Sequence, residues 1–458
     1  MSEFDEKKAL YEEIVRGTDE ALLLERMREL GFWPWGQELP DDPADEAKEW
    51  NELEYEIARL RKKAAVVTDP DKALQQERVR RWNESKNRRA KKRIEKQAEA
   101  KERREKWEAY KKDHLVTAGD GVSAGLQQHP KDQGAWRFNV LNLGTPEEVA
   151  KAFGITLTRL RFLTFHRRAT ALVHYHRYAV SKKTGGLRHI SAPKHHLARV
   201  QEQILEHILS KVPLHEQAHG FVPGRSVKTN AMPHVGKHLV VNLDLKDFFP
   251  TITFRRVKGM FHKALGYPEP VAVVLALLCT EPPRTPAQLD GKVFHVALSE
   301  RVLPQGACTS PAITNIIARN LDRRLSTMAA KLDFAYTRYA DDLTFSSNGR
   351  RVGKLLRIVR EIVASEGFVV NEDKTRVMRQ GRAQEVTGVS VNSKLGLSRK
   401  ERRKLRAILH NAEKHGLASQ NRGDHPKFAE HLRGKLAWVS MLDVEQARAL
   451  IAAYDALT

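Results

Sequence analysis

Cysteine is almost missing from this chain: of 458 residues only Cys279 and Cys308 carry a thiol. That excludes a disulfide framework and a cysteine-rich zinc cluster, and it suits a reducing compartment. Long apolar runs are lacking too, with no stretch approaching the ~18 residues of a membrane span. The opening MSEFDEKKALYEE is charged and has no apolar centre of the kind a signal peptide needs. The expectation is a cytoplasmic protein with no membrane partner. Acidic charge is in deficit as well, 57 Asp and Glu against 79 Lys and Arg, a net +22. So basic a balance selects a polyanion as partner. The length allows two or three domains with a sizeable core.

Residues 1–115 read as a charged helical region. Leu22, Leu23, Leu24, Met27 and Leu30 form an apolar stripe closed by Gly31, and a second helix is expected from Glu46 to Lys63. From Arg78 to Lys112 there are 16 Lys or Arg against 6 Glu. Such a run is either a solvated helix laced with i,i+4 ion pairs or an arm that grips RNA. Residues 116–135, with TAGDGVSAGLQQHPKDQGA, have linker composition. After them Thr145-Pro146-Glu147-Glu148 reads as a helix start. YHRYAVSKKTGGLRHISAP reads as two strands joined at Gly185-Gly186, and LARVQEQILEHILSKV as an amphipathic helix. SRKERRKLRAILHNAEKHGL opens with a Ser398/Glu401 capping box and lines up Leu405, Ile408, Leu409 and Ala412 beneath basic faces. The tryptophans at 33, 35, 82, 107, 136 and 438 read as core or helix-packing residues. His174, His176, His195 and His196 lack the partners of a zinc site and read as exposed or phosphate-contacting.

RYADDLTFSS, residues 338–347, belongs to an alternating stretch that predicts a hairpin with its tip at or beside Ala340-Asp341. Two adjacent acids at a turn also serve local hydrogen bonding. A second acidic strand lies about a hundred residues earlier, in LVVNLDLKDFFPTI, where Leu239 to Leu245 make a short apolar strand carrying Asp244. A buried strand tolerates such a charge only when it is paired or holds a metal. Two strands of one sheet delivering carboxylates to the same end would build a hard oxygen site of the kind Mg²⁺ prefers, completed by phosphates and water. That arrangement suits two-metal phosphoryl transfer.

NLDLKDFFPTI, LPQGACTSP and YADD, in that order, resemble the palm motifs of reverse transcriptases, from about Trp136 to the C-terminus. TNAMPHVGK, with the NAxxH pattern at Asn230, Ala231 and His234, and the VTG triplet Val386-Thr387-Gly388 resemble the retron branch of that family. The resemblance implies an α+β right-hand polymerase: fingers and first palm elements over 136–240, palm over 241–392, helical thumb over 393–458, and the N-terminal helices as an addition. It implies Asp244, Asp341, Asp342 and the Leu245 carbonyl as ligands of two Mg²⁺ ions, with Mn²⁺ as the alternative. Lys374 falls at the position of a proton donor for pyrophosphate. Lys182, Arg188, Phe249, Gln305 and Gly306 would contact the incoming dNTP, with Lys183 beside them and Phe249 as the gate against a ribose 2′-hydroxyl. Asn230, His234, Val386, Thr387, Gly388, Arg399, Arg402, Arg403 and Arg406 would contact RNA, the thumb arginines along an RNA–DNA duplex.

The implied activity copies part of a structured noncoding RNA into single-stranded DNA, primed from a guanosine 2′-hydroxyl in that RNA, in phage defence with a companion effector protein. Two alternatives stand beside it. One is a group II intron-like or other mobile-element reverse transcriptase, against which the sequence offers neither an endonuclease nor a Cys/His cluster. The other is an inactive nucleic-acid-binding scaffold, which loss of a carboxylate would mark; Asp244, Asp341 and Asp342 are all present.

Overall fold

The computed structural model describes residues 8, 20–29, 31, 33–37, 43–65, 70–126, 135–182 and 185–457. The chain divides into two compact units, Met1–Lys106 and Trp107–Thr458. In the first, helices span Glu20–Glu29 and Pro43–Ala65, and the 44-residue helix Pro70–Asp113 begins. The long helix is polar all round and exposed at nearly every described position, with ion pairs such as Arg81–Glu77 at 3.3 Å and Lys106–Glu102 at 2.6 Å. Local propensity and such pairs, not burial, hold it. Trp35, Trp82 and Trp107 are exposed rather than packed, and the Lys86 ammonium sits 5.1 Å over the Trp82 ring. The side chains of Leu22, Leu23, Met27 and Leu30 lie outside the described residues.

The second unit corrects the linker reading. Leu115, Ala118, Val122 and Leu126 are buried in the main core, and the Leu115 N–H donates to Glu147 Oε1 at 3.0 Å. Gly119 serves close approach instead of flexibility: a Cβ there would lie 1.9 Å from the His166 carbonyl oxygen. Residues 127–134 lie outside the described residues. Thr145 caps the helix Pro146–Ala152 as its sequence predicts, accepting from the Glu148 N–H at 3.2 Å. The helix Glu269–Cys279 is apolar on every side and buried from Pro270 to Cys279, so it forms the centre of the core.

Eleven strands occur among the described residues: β1 (Ala169–Thr170), β2 (Tyr175–Ser181), β3 (Leu187–Pro193), β4 (Leu239–Leu245), β5 (Arg284–Leu289), β6 (Lys292–Ala297), β7 (Ala335–Tyr339), β8 (Asp342–Ser347), β9 (Val370–Arg379), β10 (Glu385–Val386) and β11 (Val389–Ser390). The principal sheet has the order β7-β8-β4-β9 and is antiparallel throughout. Strand β4 is covered on both faces because its alternate residues serve two cores. Val241, Leu243 and Leu245 enter the main core, whereas Val240 enters a second one with Ala231, Val386, Val389, Leu405, Leu409 and Leu436. The second core therefore joins Ala231 and Val240 to Val386, Val389 and the C-terminal helices, and crosses the 240/241 and 392/393 boundaries expected from the sequence. Its helices are Arg399–His415, Phe428–Leu442 and Val444–Asp455. Ser398 accepts from the Glu401 N–H at 3.3 Å, and its hydroxyl donates to the Glu401 carboxylate at 3.0 Å. The cap thus forms without the reciprocal backbone bond of a full box.

Candidate active site

Period-two alternation places Val240, Asn242 and Asp244 on one face of β4, and Asp244 stands directly opposite Asp342 of β8. The β7–β8 hairpin turns through Ala340-Asp341, as the sequence predicts, with Ala340 in the left-handed region at φ 56°. Two buried networks hold that turn. Beneath it, Arg338, fully buried, donates to Asp322 at 2.6 and 2.7 Å, to Asn315 Oδ1 at 2.9 Å and to the Ala340 carbonyl at 3.0 Å. Asn315 in turn donates to the Gly220 carbonyl at 2.9 Å, and Gly220 packs so closely on Ala340 that a Cβ would meet its nitrogen at 2.5 Å.

The other network is built by the NAxxH segment. His234 bridges Ser346 Oγ at 2.7 Å and Thr337 Oγ1 at 2.8 Å, one hydroxyl on each strand of the hairpin. Asn230 Nδ2 donates to Thr387 Oγ1 at 3.2 Å. Asn230, His234 and Val386 are wholly buried, so the expectation that these three touch RNA is corrected: they brace the hairpin and the second core. Of the VTG triplet, Thr387 and Gly388 form the two-residue turn between β10 and β11, both with positive φ, and both line the acid cavity.

That cavity, about 380 Å³, is lined by Asp244, Asp341, Asp342, Lys374 and Arg188 among others. Strand β9 bulges opposite β4 between Asn242 and Asp244, and the bulge returns Lys374 to the site. Its ammonium lies 3.0 Å from each Asp244 oxygen, and Asn371 Nδ2 donates to the same carboxylate at 3.0 Å. Burial, then the Asp244 charge, pushes the Asp341 carboxyl up. Burial, then Asp341 and Asp244, raises Asp342 to about 7. Lys374, Arg188 and Arg376 also line the cavity, yet Asp341 and Asp342 stay raised, and a cation between the acids would relieve that crowding. Among the described residues no group of three or more His, Cys, Asp or Glu side chains is placed to hold a metal ion, so phosphate oxygens and water would have to supply much of an ion's shell.

The remaining expected residues stand as follows. Leu245 is buried in the main core, and its N–H donates to the Asp341 carbonyl at 3.0 Å. Phe249 is half-buried against that core. The Gln305 carbonyl accepts from the Ser191 N–H of β3 at 2.8 Å, and Gly306, at φ 126°, fits against Ile190 and Ser191 where a Cβ would clash. LPQG is thereby docked on the strand that carries Arg188. Leu245, Phe249, Gln305, Gly306 and Lys182 do not line the acid cavity; Lys182 is exposed at the hairpin tip, and Lys183 lies outside the described residues. Arg399, Arg403 and Arg406 are exposed and Arg402 half-buried on their helix. Sequence reading missed Arg338, Asp322 and Asn371, although an arginine at an inward strand position is itself a signal of a buried partner.

Acid conditions will test the second network. Burial first, then nearby positive groups, depresses His234 to about 3 and His219 and His166 to about 4, from an ordinary 6.5. At these histidines the unfolded chain therefore binds more protons between those values, and their contribution to stability is lost as pH drops from about 6.5 towards 3. The raised Asp341 and Asp342 carboxyls act the other way, so the test is differential: across that window the parent's urea midpoint is expected to fall relative to that of His234→Gln.

Residues 180–392 match the family model described as reverse transcriptase (RNA-dependent DNA polymerase). The chain is 49% identical to the retron Mx65 reverse transcriptase of Myxococcus xanthus over 307 residues, 67% of this chain and 70% of that protein. It is 39% identical to the retron Mx162 enzyme of the same organism, covering 90% and 86%, and 33% identical to the retron Ec86 enzyme of Escherichia coli, covering 69% and 91%. The chain is an RNA-directed DNA polymerase with nucleic acid as its partner, of a family that generally uses divalent metal ions. Within that class the chain belongs to the bacterial retron reverse transcriptases. The intron-like and inactive-scaffold alternatives therefore fall away. No described helix is long and apolar enough to cross a membrane.

Proposed function

We propose that this enzyme copies part of a structured noncoding RNA into single-stranded DNA from dNTPs, starting at a 2′-hydroxyl of a guanosine in that RNA, and serves in phage defence with an effector protein. The observation that carries the chemistry is Asp244 opposite Asp342, with Asp341 in the same cavity. Asp244, Asp341 and Asp342 would hold two Mg²⁺ ions, with Mn²⁺ able to replace them, and the Leu245 carbonyl would assist at one. When bound, the ions supply charge neutralisation and acidify the attacking hydroxyl. Lys374 holds a proton at Nζ beside that carboxylate set, where it can be passed to the leaving pyrophosphate. Arg188, with Lys182, places fixed positive charge for the triphosphate, and Gln305 and Gly306 form the floor beside the base. The exposed Arg399, Arg403 and Arg406, with Arg402, offer phosphate contacts along the duplex without reading its sequence. Thr387 and Gly388, at the cavity rim, stay available to the RNA strand, whereas Asn230 and His234 act by holding their supports in place.

Sequencing the nucleic acid that co-purifies with the protein tests the retron reading: a branched RNA–DNA molecule is expected, and linear DNA alone would refute priming from the 2′-hydroxyl. Phe249→Ala is expected to admit ribonucleotides in primer extension with dNTP synthesis retained. Unchanged discrimination would make Phe249 a core residue only.

A further inference from the structure

A second cavity of about 410 Å³ shares no lining residue with the acid cavity. It lies where the helix Leu157–Thr164 meets β1, the start of β2, and the end of the helix Glu269–Cys279. Its size suits a small ligand. Its lining is peculiar in charge. Arg301 is buried and bonds only to neutral groups: Thr280 Oγ1 at 3.2 Å, the Leu277 carbonyl at 2.7 Å, the Thr280 carbonyl, and His166 Nδ1 at 3.5 Å. A guanidinium has five N–H donors, so an Nη1 hydrogen is left without a protein acceptor. Arg284 likewise meets only carbonyls, those of Arg167, Arg168 and His295. Glu281 also lines the cavity, but the Arg177 guanidinium engages it.

Buried cationic charge without a carboxylate is costly unless an anion completes it. The lining also holds polar side chains such as Arg161, Thr170 and His174, and three apolar ones at its mouth, Phe162, Phe165 and Leu172, each leave large apolar surface in water. Arginine already lies over both rings, Arg159 5.2 Å from the Phe162 centroid and Arg167 5.1 Å from that of Phe165. Guanidiniums beside partly exposed aromatic rings are the two halves of nucleotide recognition, phosphate and base.

We propose that this cavity takes one nucleotide unit, its phosphate on Arg284, Arg301 and Arg167 and its base against Phe162, Phe165 and Leu172, and that in the working enzyme the unit belongs to single-stranded RNA. The site anchors an RNA segment away from the copying centre. It rests on the chain's being an RNA-copying enzyme only for the source of the nucleotide.

The test irradiates the full-length protein with a short single-stranded RNA carrying 4-thiouridine and maps the crosslinked peptides, alongside equilibrium dialysis with labelled UMP. Crosslinks within residues 157–175 are expected. They should fall by at least about fivefold in Phe165→Ala/Arg167→Ser, the low end of what one base–aromatic stack contributes, and likewise in Leu172→Trp, which fills the mouth from an exposed position. Extension of a preformed primer–template should continue in both variants, separating this site from the polymerase reading. UMP binding without any RNA crosslink overturns the assignment to RNA. Crosslinks confined to other segments, or unchanged in both variants, overturn the site.

Discussion

Asp341→Asn is expected to bind RNA as the parent does and to make no DNA, synthesis falling below about one thousandth, the scale on which loss of one preorganised charge acts. Asp244→Asn should do the same. The basic surfaces that hold RNA are elsewhere, so only the cation-holding charge is lost. The same substitution should make the metal-free protein more resistant to heat, because burial and the Asp244 charge hold the Asp341 carboxyl above its ordinary pKa. A carboxyl raised in the folded state binds more protons folded than unfolded, so its contribution to stability is lost as pH rises through the folded value. An uncharged amide removes that penalty. Primer extension, a filter-binding assay and a melting curve at pH 8 without metal read the three effects. Synthesis within a few-fold of the parent would remove the carboxylates from the chemistry, and a lower melting temperature would mean that misfolding explains the loss.

The site was legible in the sequence where one strand reports on itself. Alternation around Arg338 to Phe345 located the hairpin and its tip, and the apolar run around Asp244 marked a buried strand with a charge that needs a partner. The partner was not legible. Lys374 and Asn371 reach Asp244 through a bulge in β9, and the residues involved are more than a hundred positions apart. Asn230 and His234 were misassigned for a related reason: polar residues in a basic chain read as ligands for a polyanion, and only the packing shows that both are buried, with His234 bonded to two hydroxyls and Asn230 Nδ2 to Thr387. Composition also misled at 116–126, because Gly and Ser serve close approach as well as flexibility. There the apolar Leu115, Ala118, Val122 and Leu126 join the main core from turns and irregular backbone, without a regular element to announce them.

The largest loss of stability is expected at Arg338, three residues from Asp341. Its pair with Asp322 has no exposed atom on either side chain, and the Tyr336 hydroxyl donates to the same carboxylate at 2.9 Å. Arg338→Met leaves the Asp322 charge buried with only that hydroxyl to face it, which costs roughly 3–5 kcal/mol when one partner of a buried pair is removed. Asp322 does not need the arginine for its own sake: Asp322→Leu combined with Arg338→Met should recover much of the loss, since two apolar side chains replace two desolvated charges. Activity should not recover with it. The guanidinium is also the donor to the Ala340 carbonyl and to Asn315, and through them it fixes the left-handed turn that sets Asp341 beside Asp244. The double variant is therefore expected to unfold in denaturant near the parent's midpoint while extending primers at least about tenfold more slowly, the cost of a reacting group held out of place. A double variant as active as the parent would show that the turn holds without its buried cation, and that the pair serves only the fold.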